Sequence, residues 1–231
     1  VTAAAIRADL AVAADPERAA GMARYFQVRP GGYGEGDRFL GIAVPELRRI
    51  ARRHAAATSL AEAEDLLTSP LHEERLAALF VLVRRFEAAG DDERARIVEL
   101  YLRCRAHVSN WDLVDASAPC LLGDVDPAVL DQLAGSASVW DRRIAVMATF
   151  AAVRAGRFEP TLRLADRLLA DPHDLVQKAV GWMLREVGNR DRALAEEFLG
   201  PRYRRMPRTM LRYAIERYPS DRRRAYLAGD V

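Results

Sequence analysis

The sequence predicts an all-α protein, a HEAT-like helical-repeat solenoid with a concave basic groove. Three observations predict it. Apolar residues recur at helical spacing along nearly the whole chain. No alternating apolar and polar run bounded by hairpin turns occurs. Helices of similar pattern return about every 34 residues, as stacked helical pairs do.

The elements follow in order. In "DPERAAGMARYF", Asp15 is the expected N-cap and Pro16 the first helical residue. "VPELRRIARRHA" uses Pro45 in the same way. "SLAEAEDLL" opens with a Ser59 cap, and Glu62 three residues later completes a capping box. Between the first two of these helices lies "VRPGGYGEGDRF", where four glycines between Val28 and Phe39 predict a mobile loop. The helical period continues through "HEERLAALFVLVRRFEAA", "DDERARIVELYLRCR" and "SNWDLVDASAP". It resumes in "SVWDRRIAVMATFAAVR", "FEPTLRLADRLLA" and "DLVQKAVGWMLREVG".

The repeat is marked by steps of about 34 residues from Arg75 to Ser109, Arg143, Lys178 and Arg212. The tetratricopeptide and ankyrin signatures are absent. Small residues such as Ala77, Ala145 and Ala179 at close contacts suit HEAT-like pairs. One domain over 1–231 is expected: N-terminal helices and the Gly-rich loop at 1–43, repeats at 44–218 and a C-terminal cap at 219–231. Stacking of this kind places Arg75, Trp111, Asp115, Arg143, Lys178 and Trp182 on or near one surface.

Half of the 231 residues are hydrophobic and 29% are charged, an ordinary soluble balance. No apolar run is long enough for a membrane span, and Arg7, Asp9, Asp15 and Glu17 interrupt the alanine-rich start as a signal-peptide core would not. Two cysteines, Cys104 and Cys120, fit a reducing cytoplasm. Cys104 and His107 have ligand-like spacing but lack a second pair, so no metal is expected. Lys178 is the single lysine; every other basic residue is arginine, which suits bidentate phosphate contacts. Arg48, Arg49, Arg52 and Arg53 lie within about a turn and a half of helix, either as a phosphate-binding stripe or as a solvated face. Nine arginines face three acids from Pro201 to Val231. Arg142 is expected to be solvent-exposed.

In "WDLVD", Trp111 and Asp115 are four residues apart and share a helix face, with Asp112 pointing elsewhere. An acid inside a basic groove repels phosphate and so weakens simple backbone binding. It makes sense where something cationic must sit. Indole faces also favour cations. Two plainer readings stay open: Asp115 as a structural acid paired with Arg143, and Trp111 and Trp182 as core residues.

Four stretches carry a family resemblance. "FLGIAVPELRRIARR", "WDLVD", "WDRRIAVM" and "VQKAVGWMLRE" occur in order, and together they resemble the AlkD-like family of DNA alkylpurine glycosylases over roughly Glu17 to Tyr218. The resemblance implies hydrolysis of the N-glycosidic bond of N3- or N7-alkylated cationic purines in duplex DNA, within base excision repair. It implies Asp115 as the catalytic carboxylate, Trp111 and Trp182 flanking the lesion's deoxyribose, and Arg143 on the backbone near it. Tyr25 falls near a site-lining tyrosine, while Lys178 and Arg185 match phosphate-contacting positions, with Arg48 extending them. The lesion is expected to stay in the duplex with no enclosing base pocket. No cofactor is implied, and a monomer acting in the cytoplasm at the nucleoid is expected. A non-catalytic DNA-binding repeat protein and a protein–protein scaffold are the alternatives.

Overall fold

Helix starts fall where the caps lie. In the computed structural model, which describes Thr2–Val231, the Asp15 side chain accepts from the backbone N–H of Arg18 and Pro16 opens the helix. Ser59 and Glu62 form the reciprocal capping box. Pro45 lies in the first turn of a helix that begins at Val44.

The chain divides at Leu121–Leu122 into two compact units. The first holds α1 (Thr2–Ala13), α2 (Pro16–Tyr25), α3 (Val44–His54), α4 (Leu60–Leu67), α5 (His72–Ala88), α6 (Asp91–Cys104) and α7 (Trp111–Leu121). The second holds α8 (Pro127–Ala134), α9 (Val139–Ala148), α10 (Phe150–Arg154), α11 (Glu159–Arg167), α12 (Asp174–Gly188), α13 (Arg192–Leu199), α14 (Arg208–Ala214) and α15 (Ser220–Ala228). Among the described residues there is no strand, only an isolated bridge between Arg38 and Leu71. The protein is an all-α helical repeat.

Each unit is organised by one helix. In the first, α5 is buried without interruption from His72 to Leu82, and α3, α4 and α7 pack against it. In the second, α12 packs against α9, α13 and α14. The sequence period is visible in both. Arg75 lies on α5 and Ser109 just before α7, its neighbour; Arg143, Lys178 and Arg212 lie on α9, α12 and α14, which pack in that order. Gly181 sets the spacing of the last pair: a Cβ there would stand 2.5 Å from the Met210 carbonyl oxygen and from the Tyr213 Cβ. Only glycine lets the two helices approach so closely.

Three expectations are corrected. The helix expected across 138–154 breaks at Thr149, whose hydroxyl turns back onto the Val146 carbonyl at 2.7 Å and accepts from Thr161 at 2.9 Å. A buried threonine bonding its own helix competes with the regular ladder and bends it. Arg142, expected in solvent, is only 15% exposed and pairs with the buried Asp171. Arg75, expected on a surface, is buried. It donates to the His107 carbonyl and the Ser109 hydroxyl, both at 2.9 Å, and to Asp37. A guanidinium brought inside needs acceptors on its several N–H groups, and these serve both terminal nitrogens while Nε is left without a partner.

The Gly-rich segment between α2 and α3 is also tied down. Glu73, fully buried at the start of α5, accepts the backbone N–H groups of Leu40 and Gly41 at 2.8 Å and of Ile42 at 3.2 Å. This explains "FLGI": Gly41 has φ +84° and its missing Cβ leaves room for the Asp15 carbonyl oxygen. A side chain there would clash and strain the backbone. Replacing Glu73 by Ala orphans three N–H groups, so Glu73→Ala is expected to lower unfolding free energy by about 3 kcal/mol or more in urea denaturation. A loss below about 1 kcal/mol would contradict this assignment.

Candidate functional site

The start of α7 sets the site. Asn110 is fully buried just before it; its side chain accepts from the Trp111 N–H at 2.8 Å and donates to Asp37 at 3.2 Å. Leu113, Val114, Ser117, Ala118 and Leu121 bury the opposite face of the helix. That fixes its rotation and leaves Trp111 and Asp115, one turn apart, half-buried.

Trp111 is held on two sides. Its ring stacks on Phe26 with centroids 5.4 Å apart, and Tyr25 meets it edge-on at 6.2 Å. Its indole N–H donates to the Tyr33 hydroxyl at 3.3 Å, which donates in turn to the Tyr25 carbonyl at 3.2 Å. Tyr33 comes from the Gly-rich segment, so that segment positions a site residue directly.

Beneath this layer lies a buried charge network. His72, without exposed side-chain surface, places Nδ1 2.7 Å from Asp37 and Nε2 2.8 Å from Asp112. A carboxylate can only accept, so both ring nitrogens donate and the imidazole is a cation. Burial pushes the His72 pKa down, but the hydrogen bonds to Asp112 and Asp37, with their charges, outweigh it and raise the pKa from 6.5 to about 9. Burial pushes Asp37 up, and the bond and charge of His72 together with Arg75 and Asn110 overcome this, holding it below the usual carboxylate range. Phe39 stacks on the imidazolium at 4.5 Å, and Phe26 covers it at 5.3 Å. Asp112 does not point away from the site, as expected from spacing; it joins the site to the network.

Above the network is a pocket of about 510 Å³, in the range of small-ligand sites. Tyr25, Arg48, Trp111 and Asp115, four of the predicted site residues, all line it, together with Phe80 and Asp112. Tyr25 is 66% exposed, so the pocket is open to solvent at that side. Aromatic faces and two carboxylates suit an organic cation, and Asp112 is already committed to His72.

The other predicted residues lie in the second unit. Lys178, Trp182 and Arg185 follow one another along one stripe of α12. Lys178 pairs with Asp174 at 2.6 Å, Trp182 donates to Glu186 at 3.3 Å, and Arg185 pairs with Glu216. Arg143 departs from its expected surface position. It is buried, and its guanidinium donates to the Leu175 carbonyl at the start of α12. A helix carbonyl has a second lone pair beyond the one its own ladder uses, and Arg143 takes it.

Sequence reasoning missed Asp37, His72, Asp112 and Tyr33. The signal for Asp112 is present in "WDLVD": residues three apart lie only about 60° apart around a helix, so Asp112 stands beside Asp115 and not away from it. Nothing local marks Asp37 and His72 as partners.

A sequence profile described as DNA alkylation repair enzyme matches residues 6–218. Among functionally curated proteins nothing matches the chain significantly. A solved structure, described as a predicted DNA alkylation repair enzyme from Enterococcus faecalis, superposes with a TM-score of 0.71 at 17% identity, covering 90% of this chain and 97% of that one. At that identity the likeness is one of fold.

The network has a pH signature. A pKa raised from 6.5 to about 9 on folding means that the folded state holds the His72 proton more tightly. The linked stability is whole below pH 6.5, declines above it and is gone once the pH has passed about 9. Unfolding free energy is expected to fall by on the order of 3 kcal/mol across that window. Urea melts at several pH values check this, with His72→Gln expected to show a flatter profile. An equal slope in both proteins would rule the network out as its source.

Proposed function

Since the chain belongs to the DNA alkylation repair enzyme family, the AlkD-like proteins, we propose that it is a monofunctional DNA glycosylase for cationic N3- and N7-alkylated purines in duplex DNA. The observation that carries this reading is the Asp115 carboxylate beside the Trp111 and Tyr25 rings in a pocket open to solvent.

The chemistry follows from charge. Alkylation at N3 or N7 makes the purine a cation and weakens its bond to C1′. When that bond breaks, its electron pair leaves with the base, which becomes neutral. The positive charge passes to the sugar as an oxocarbenium-like centre. Asp115 stabilises that charge, and Trp111 presents an aromatic face to it. Water then adds to C1′ on the face away from the departing base and gives up its proton to Asp115 or to solvent. The protein needs interactions stronger with the cationic sugar than with the intact nucleotide, and a fixed carboxylate provides one.

The lesion itself carries the selectivity, through its charge and its weakened bond, and it remains largely in the duplex. Arg48 contacts the backbone from the first unit. Lys178, Trp182 and Arg185 of the second unit contact the DNA through the backbone and its sugars, and the buried Arg143 acts through α12, whose start it holds. A strand-cleaving lyase step is not part of the proposal, because the only lysine, Lys178, is paired with Asp174 on the surface of α12. The protein acts as a monomer.

Release of 3-methyladenine or 7-methylguanine from alkylated duplex DNA, with protein in excess, tests the activity. Asp115→Asn is expected to slow single-turnover release by about 100-fold or more while DNA affinity stays near that of the wild type. Absence of release by folded wild-type protein would refute the enzyme; full activity in Asp115→Asn would remove the carboxylate from its role.

A further inference from the structure

Helix α3 carries four arginines, and the structure sorts them by partner. Arg49 pairs with Glu46, and Arg53 pairs with Asp9 at 2.7 Å. Arg48 and Arg52, one turn apart on another side, are exposed and form no ion pair among the described residues. Across from them, α5 contributes Arg84, whose nearest carboxylate, Glu87, stands 3.8 Å away with both side chains more than half exposed. An exposed pair at that distance neutralises little.

These residues line a groove of about 230 Å³ between α3 and α5. Phe80 forms part of its wall, with the Arg48 guanidinium 4.2 Å over the ring. The aromatic face holds this guanidinium in place without using its N–H groups, which stay available to an anion. Three arginines and a single carboxylate give the groove a positive excess. Like charges gathered with so little compensation are unfavourable unless an anion arrives. Arg48 also lines the pocket that holds Asp115, so the groove and the pocket share a wall.

We infer that this groove is a phosphodiester-binding site, in which Arg48, Arg52 and Arg84 grip a backbone phosphate beside the nucleotide facing Asp115. The inference rests on the glycosylase reading for the identity of the strand. Its own content is the anchoring of that strand at a fixed place. Planar guanidinium groups converge on phosphate oxygens in bidentate fashion. The anchor would hold the sugar at Asp115 without any contact to the base. Glu87 opposes the phosphate and limits how tightly the groove holds it.

The test is the affinity for an undamaged DNA duplex, measured by fluorescence anisotropy between 50 and 200 mM salt. Each phosphate neutralised contributes about 0.9 to the slope of log affinity against log salt, or about 3.5-fold across that range. Arg52→Gln/Arg84→Gln is expected to make the slope shallower by about 0.9, the share of the one phosphate held there. Arg49→Gln, already paired with Glu46, is expected to leave it unchanged. Glu87→Gln is expected to tighten binding by about twofold. A double variant with the wild-type slope, or a Glu87→Gln protein that binds more weakly, would overturn the groove assignment while excision by the wild type kept the enzyme reading. A wild-type protein without salt-dependent DNA binding would overturn both.

Discussion

A single imidazolium holds the first unit's site together. His72 is bonded at both nitrogens, to Asp37 from the Gly-rich segment and to Asp112 from α7. Three parts of the chain distant in sequence therefore meet on one ring. Arg75 adds a second buried cation against Asp37, so the two carboxylates face two positive charges. A buried charge set is tolerated only when each member is paired; removing one partner costs about 3–5 kcal/mol. The network thus fixes where the segment and the helix start must lie, whatever else it contributes to stability.

That placement has a consequence for charge at the surface. With Asp112 bound to His72, the two acids of "WDLVD" take different tasks: one anchors the helix, the other lines the pocket. Rings cover the buried cation, which itself borders the pocket. Trp111 stacks on Phe26, which in turn lies against Phe39 and the His72 ring. A carboxylate presented in this way requires no reorganisation when a cation forms beside it, and such preorganisation is the main source of electrostatic catalysis.

The sequence made the helical repeat legible, because period, caps and step length are local or evenly spaced signals. Asp15, Ser59 and Glu62 cap as their positions require, and within each unit the step of about 34 residues connects helices that do pack. Trp111 and Asp115 were legible as sharing a face for the same reason. The buried network was not. Asp37 and His72 are 35 residues apart, and no pattern of charge reveals that polar residues opening α5 turn inward. Arg75 and Arg143 failed differently. Periodicity assigns a residue to a face of a helix but does not tell which carbonyls a long arginine can reach. The break at Thr149 depends on a hydroxyl's choice between two acceptors, which propensity does not resolve.

The central claim is that Asp115 is placed to meet a positively charged sugar. The most direct measurement compares the affinity of the protein for two duplexes. One carries a neutral tetrahydrofuran abasic site; the other carries a pyrrolidine analogue that is protonated where the oxocarbenium charge develops. Opposite charges about 4 Å apart near a protein surface attract by about 1–4 kcal/mol. The cationic duplex is therefore expected to bind at least about tenfold more tightly to the wild type, with most of that preference lost in Asp115→Asn. Equal affinity of the wild-type protein for the two duplexes, or a preference that survives in Asp115→Asn, would contradict the account.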